Sequence, residues 1–353
     1  MSNKSNLGNR LALTTALAGI LFAGYGGRSV YAGTCVGAVG AYTCSGTANS
    51  GTDITQNLAY AGAPALSVTT TAGFGIDTSV SGGMAVYLDK ISGIGDLLFT
   101  DTNAAAITGD NIGIHARNRG GGAISITTTG VVTGTGANST GIYASNNGTN
   151  LLIDARADVS GGSVGIGAYN YGNGEISVIT TGVVTGTNLD GISVYNSYFY
   201  TTDMLIDTQA DVSGGFTGIF VRNYGAGTTT IITAGVVTGT NRDGIFGRNS
   251  PISTNLLIDA QADVSGRSTG IDVINAGVGM TSITTAGVVT GTDFSGIYAR
   301  NLSTSTNLLI SAQADVSGYR DGVEAHNKGS GETSITTAGA VTGTRYSGIY
   351  AIQ

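Results

Sequence analysis

The chain has 353 residues with 59 Gly, 2 Pro, no Trp and only 10% charged residues, and Ala, Val, Ile, Thr and Gly dominate it. That composition excludes an ordinary packed globule and suits thin layers of short side chains lying close to backbone, as in a stacked β-solenoid. The formal net charge is -7 with Lys and Arg scattered along the chain, which excludes the concentrated basic face that a nucleic acid or an anionic bilayer surface requires.

Residues 1–32 read as a signal peptide. Lys4 and Arg10 form a basic start, Leu11 to Gly24 is an apolar run, and Val30-Tyr31-Ala32 supplies the cut, so the mature chain begins at Gly33. The run is too short for a transmembrane helix, and no later stretch is apolar enough to span a bilayer, so no transmembrane segment is expected in the mature chain. The only cysteines, Cys35 and Cys44, follow the cut. In an exported chain such a close pair is expected to oxidise and close a small loop at the terminus. Zinc would need more ligands than these two, and the histidines lie far away.

Residues 33–105 are expected to form an N-terminal cap and irregular coils, although Leu66-Ser-Val-Thr-Thr-Thr-Ala-Gly-Phe-Gly-Ile76 echoes the pattern that follows. From 106 to 353 the chain repeats. Gly113-Ile114-His115-Ala116-Arg117-Asn118 returns with its Gly at 141, 165, 191, 218, 244, 270, 296, 322 and 348, mostly 26 residues apart. In a strand alternate side chains share a face. Ile114, Ala116 and Asn118 therefore point inward and the changing residues between them outward. The inward Asn recurs as Asn146, Asn170, Asn196, Asn223, Asn249, Asn275, Asn301 and Asn327, and an internal amide ladder from coil to coil is expected of it. The competing reading is that these Asn favour left-handed turn conformations.

A second motif precedes each of these strands. It is Val-Thr-Gly or Val-Ser-Gly in strict alternation, from Val132-Thr-Gly134 and Val159-Ser-Gly161 to Val341-Thr-Gly343, so the duplicated unit is a pair of coils of about 52 residues. In the Ser coils Asp158, Asp211, Asp263 and Asp315 face outward before the Val; the Thr coils have Val or Ala there. Alternation doubles the spacing within the Asp column, which weakens like-charge repulsion. A coil of about 26 residues with three sheets indicates an all-β, right-handed parallel β-helix of about ten regular coils.

The signal sequence, the segment Cys35…Tyr42-Thr43-Cys44-Ser45-Gly46 and the Gly-Ile-x-Ala-x-Asn coils together resemble the N-terminal passenger regions of Gram-negative autotransporters, the type V secretion proteins. The resemblance implies a passenger β-helix displayed on the cell surface or outer membrane, or released outside. The family's C-terminal translocating β-barrel, with alternating apolar strands of about ten residues, is not in these residues, and the last coil is cut short at Gln353. A truncated product or fragment is therefore expected.

No catalytic, cofactor or metal site is expected. The rival reading is a secreted polysaccharide lyase or hydrolase, which needs two carboxylates facing a groove. Asp154 and Asp158, Asp207 and Asp211, and Asp259 and Asp263 recur every second coil, which reads as scaffold. His115 and His326 stand eight coils apart and cannot act together. What remains is the outer face of the Gly-Ile strands and one longer loop, with Tyr143, Tyr169, Tyr195, Tyr198, Tyr200, Phe220, Arg222, Phe246, Arg248, Tyr298 and Arg300. These are residue types enriched at recognition surfaces, so this face is the candidate site for a protein or carbohydrate ligand, and adhesion the expected function. The competing reading is that these residues only stack on one another across the sheet.

Overall fold

A computed structural model describes residues 33–197 and 202–353, which contain 36 strands and no helix. The expected signal peptide, Tyr198 and Tyr200 lie outside the described residues. One coil runs from Ile112–Asn118 through Ile124–Thr128 and Val132–Gly134 to the next turn at Thr140–Asn146. Each segment lies parallel and in register on its equivalent in the next coil: Ile126 faces Ile153, Val132 faces Val159, and Ile142 faces Ile166. Three sheets of 13, 11 and 12 strands result. We call them sheet 1 (the Ile126-type strands), sheet 2 (the Val-Thr/Ser-Gly strands) and sheet 3 (the Gly-Ile strands). The molecule is a parallel β-solenoid of about 12 turns, with rungs roughly 4.8 Å apart.

The core is a set of columns. Ile126, Ile153, Val178 and their successors to Ile310 in sheet 1, Val132 and Val159 in sheet 2, and Ile114, Ile142 and Ile166 in sheet 3 are at most 2% exposed, while Ile335 on the last rung is partly buried. Burying each such side chain contributes about 1.5 to 3 kcal/mol, and a lone coil cannot enclose them, so every rung depends on its neighbours. The regular pattern extends further toward the N-terminus than the repeat motif suggests. Gln56–Ala61, Leu66–Thr70, Met84–Ser92 and Leu97–Asp101 are already parallel rungs of sheets 3 and 1. The departure from that pattern is the antiparallel hairpin of β1 (Thr34–Ala38) and β2 (Ala41–Ser45), which ends sheet 1 and which the Cys35–Cys44 disulfide clamps across the ladder. It covers a backbone edge that would otherwise invite another strand. Just inside it, the fully buried Asp101 accepts from Thr70 Oγ1 (2.6 Å), Thr128 Oγ1 (3.1 Å) and Asn103 Nδ2 (3.1 Å), so both of its side-chain oxygens have partners.

The two-coil period has a hydrogen-bonding cause. At the bend between sheets 1 and 2, Asp158, Asp211, Asp263 and Asp315 accept the backbone N–H of Val183, Val236, Val288 and Ala340 in the next coil, at 2.8 to 2.9 Å. At the entry to sheet 1 the same device recurs: Asn150, Asp203, Asn255 and Asn307 accept from Glu175, Thr228, Met280 and Glu332 at 2.8 to 3.1 Å. Each Ser coil thus caps the Thr coil stacked on it. Charge spacing follows from this pairing and does not drive it. Asp211→Ala is expected to lower stability by about 1 kcal/mol, the usual value of an exposed cap, in urea unfolding, and Asp211→Asn by less because its carbonyl oxygen still accepts.

Candidate functional site

Each regular sheet 3 strand from Ile112–Asn118 to Val323–Asn327 ends on an Asn no more than 5% exposed. In Asn-x-Gly copies its Oδ1 accepts the N–H of the Gly two residues on; Gly120, Gly148, Gly172, Gly225, Gly277 and Gly329 all donate at 2.8 to 3.1 Å. Asn249 and Asn301 lack that Gly and instead accept the hydroxyls of Thr229 (2.7 Å) and Thr281 (2.6 Å). The Nδ2 groups donate into the loop that follows, as from Asn146 to the Thr149 carbonyl (2.8 Å) and from Asn301 to that of Asn307 (2.9 Å). Direct amide bonds join Asn118 to Asn146 (2.8 Å) and Asn196 to Asn223 (3.2 Å), and the Thr229 hydroxyl relays Asn223 to Asn249. The expected continuous ladder is thus corrected to corner capping with occasional rungs. Turn amides and carbonyls released from the sheets lie closer than the next amide, and buried backbone groups must be satisfied. Lys90, in register with Asn118, is fully buried and takes the same place at the start of the column. Its ammonium donates to the carbonyls of Gly62 and Ser92, and burial lowers its pKa.

Among the described residues, the outer face of sheet 3 carries three aromatic groups. In the first, the rings of Tyr87, His115, Tyr143 and Tyr169 follow one another at 4.9, 4.9 and 5.2 Å. Gly167 makes the last step possible, since a Cβ there would meet the Tyr169 ring at 3.0 Å; Tyr169 leans across the vacant position toward Tyr143. Beside this ladder lies a groove of about 700 Å³ lined by Ile112, His115, Arg117, Tyr143 and Ser145 from the strands and by Asn147 and Tyr171 from the corners. Arg117 is exposed, as is Tyr171. Burial, then the charge of Arg117, lowers the His115 pKa to about 4, so its imidazole is neutral at pH 7. Burial raises the pKa of the Tyr143 and Tyr169 phenols.

The second group corrects the expected surface. Phe246 is only 2% exposed despite its outward parity. Phe220 stacks on it at 4.8 Å with an angle of 1°, and Arg248 and Arg242 cover it at 4.4 and 4.7 Å. Arg242 comes from the turn before the strand, which parity within the strand cannot reveal. Arg248 donates to Asp272 at 3.0 Å, and Arg222 lies over Phe220 at 5.1 Å. Asp243 is pushed up to about 6, by its burial first and by Asp272 second, against the pull of Arg242. These groups engage one another and form a satellite core outside the sheet. Tyr195 packs on Tyr224 at 5.4 Å on the rung before.

In the third group Tyr298 contacts Phe294 (6.2 Å) and His326 (5.9 Å), and Arg320 covers Phe294 at 4.2 Å. His326 is not simply solvated: it meets Glu324 at 3.0 Å. Arg300 stands partly exposed in the neighbouring column, in register with His326. The structure therefore leaves Tyr143 partly open in a groove, packs Phe246 away and ties Arg248 to Asp272. Asn147 and Tyr171 complete the groove and were not among the expected residues; both occupy the variable position after the buried Asn, which is the signal that could have found them. No family model matches this chain, and neither the curated proteins nor the solved structures contain a match to it.

Proposed function

We propose that the chain is a non-catalytic rod exported to the cell surface or beyond, in the manner of the autotransporter passengers it resembles, and that it holds a surface ligand in the groove between Arg117 and Tyr171. The observation that carries this reading is the groove itself, where a half-buried and an exposed tyrosine ring, a cation, a hydroxyl and an amide converge on one stretch of an otherwise regular stack of coils. The disulfide at the mature terminus suits an oxidising compartment outside the cytoplasm. The carboxylates that the rival enzyme would use are engaged elsewhere. Asp154 binds Arg156 at 2.7 Å, and Asp158 caps Val183.

The test is binding of purified residues 33–353 to intact bacterial and animal cells, read by fluorescence of the labelled rod. Tyr143→Ala combined with Tyr171→Ala is expected to reduce binding roughly tenfold or more, since aromatic anchors at a binding surface contribute over 1 kcal/mol each. Tyr143 is half-buried between His115 and Tyr169, so the double variant should lose some thermal midpoint, whereas Tyr171→Ala alone, at an exposed corner, should weaken binding with the midpoint unmoved. Undiminished binding by the double variant would count against the groove. Release of reducing sugar from polysaccharides would favour the enzyme.

A further inference from the structure

We infer that the ligand held in this groove is a saccharide bearing a carboxylate; the inference rests on the groove being the binding site. Arg117 is the anchor. It is exposed and makes no ion pair with any described residue. Asp89, in register with Arg117 on the preceding rung, is buried and turns its Oδ2 to Arg119 at 2.7 Å and to the Tyr87 hydroxyl at 3.1 Å, while its Oδ1 meets no donor among the described residues, so it does not reach out to Arg117. No carboxylate lines the groove. A guanidinium so placed presents its planar fork to a carboxylate from solution, the geometry in which two parallel N–H···O bonds form.

The neighbours of Arg117 define the rest of the ligand. Tyr143 belongs to a ring ladder that repeats about every 5 Å, and Tyr171 stands beside it with 43% of its surface exposed. The exposed Tyr171 ring, with the open edge of Tyr143 beside it, can take the C–H face of a sugar ring, while the Ser145 hydroxyl and the Asn147 amide supply donors and acceptors for its hydroxyl groups. A peptide is a poorer fit. Sheet 3 at this level is paired on both sides, Ile142 to Ile114 and to Ile166, which leaves no strand edge for an extended chain to join. A densely sulfated polyanion fits poorly as well. His115 is neutral at pH 7, so the groove offers one cation, and the chain as a whole carries -7.

The test is calorimetric titration of residues 33–353 with three acidic oligosaccharides, an oligogalacturonate, an oligoglucuronate and a sialylated lactose, each paired with its uncharged parent, and with dextran sulfate as a polyanion control. At least one acidic member is expected to bind ten times more tightly than its parent. Arg117→Gln should erase that difference, whereas Tyr143→Ala should weaken acid and parent alike. If acids and parents bind equally and Arg117→Gln changes neither, the carboxylate assignment is wrong while the groove stands. If no saccharide binds and the Tyr143/Tyr171 double variant still loses cell binding, the ligand is not a saccharide. If the double variant keeps cell binding, the groove reading fails first. Dextran sulfate binding as tightly as the best acid, with loss in salt, would reduce the effect to charge alone and overturn the proposal.

Discussion

Gly235→Ala lowers the unfolding free energy by about 3 kcal/mol or more, at the upper end of what overpacking costs. A Cβ at this position lies 2.2 Å from the carbonyl carbon of Ala210, 2.4 Å from its oxygen and 2.5 Å from the nitrogen of Asp211. All three atoms are backbone of the rung below, so no rotamer change relieves the overlap. The rungs must part locally, and the Asp211 cap on Val236 is lost with them. Because stability in a solenoid is a sum of coils and nearest-neighbour interfaces, one weakened interface should also divide the cooperative unit. Urea unfolding followed by circular dichroism is expected to show a second transition that the parent lacks. Gly121→Ala is the control: the added carbon meets only Ile94, no closer than 3.8 Å, and the change should stay within about 0.5 kcal/mol. Equal losses in the two variants would show that the rungs do not interlock at Gly235. Gly182, Gly287 and Gly339 meet the backbone of Ala157, Ala262 and Ala314 in the same way, so each should repeat the result.

The second large effect is expected at the buried corner. Asn146 accepts from the Gly148 amide (3.1 Å) and from Asn118 Nδ2 (2.8 Å), and donates to the carbonyls of Thr149 (2.8 Å) and Asn150 (3.0 Å). Asn146→Ala orphans the buried Gly148 amide, whereas Asn118 Nδ2 keeps the Gly122 carbonyl, the Thr149 carbonyl keeps Asn170 Nδ2 and the Asn150 carbonyl keeps the Ile124 amide; one buried orphan together with the lost side-chain bonds brings the expected total to roughly 2 to 3 kcal/mol. Asn146→Asp keeps the acceptors but turns a carboxylate oxygen toward two carbonyls. The folded state then binds a proton more tightly than the unfolded chain, so this variant should be more stable at pH 4 than at pH 7. A loss below 1 kcal/mol for Asn146→Ala, or no pH dependence for Asn146→Asp, would contradict the corner-cap role.

Much of the architecture was legible in the residues themselves, for a reason peculiar to in-register stacking. When the repeat of the sequence is also the repeat of the structure, residues one period apart are neighbours in space. Ile114, Ile142 and Ile166 could therefore be read as one buried column, and the alternation of Ser and Thr coils as a genuine two-rung unit. Strand parity also separated inside from outside correctly for Asn118 and Arg117. What parity could not resolve is any contact made sideways, from a turn onto a strand or from a corner onto a groove. Phe246 is outward in its strand and still buried, because Arg242 reaches it from the preceding turn and Phe220 stacks beneath it. Asn147 and Tyr171 join the groove because two consecutive corners fold toward the same ladder.

The Asn column shows the same division in a single residue type. Its inward direction followed from the period of the strand, but whether each amide meets the next amide, a glycine N–H or a threonine hydroxyl depends on the length and path of the loop behind it. The sequence by itself determined the rungs, their register and the set of enclosed side chains, because those follow from periodicity along one axis. Only the tertiary structure decided which exposed groups remain free to meet a ligand, because that depends on the lateral reach of turns whose conformations no periodicity encodes.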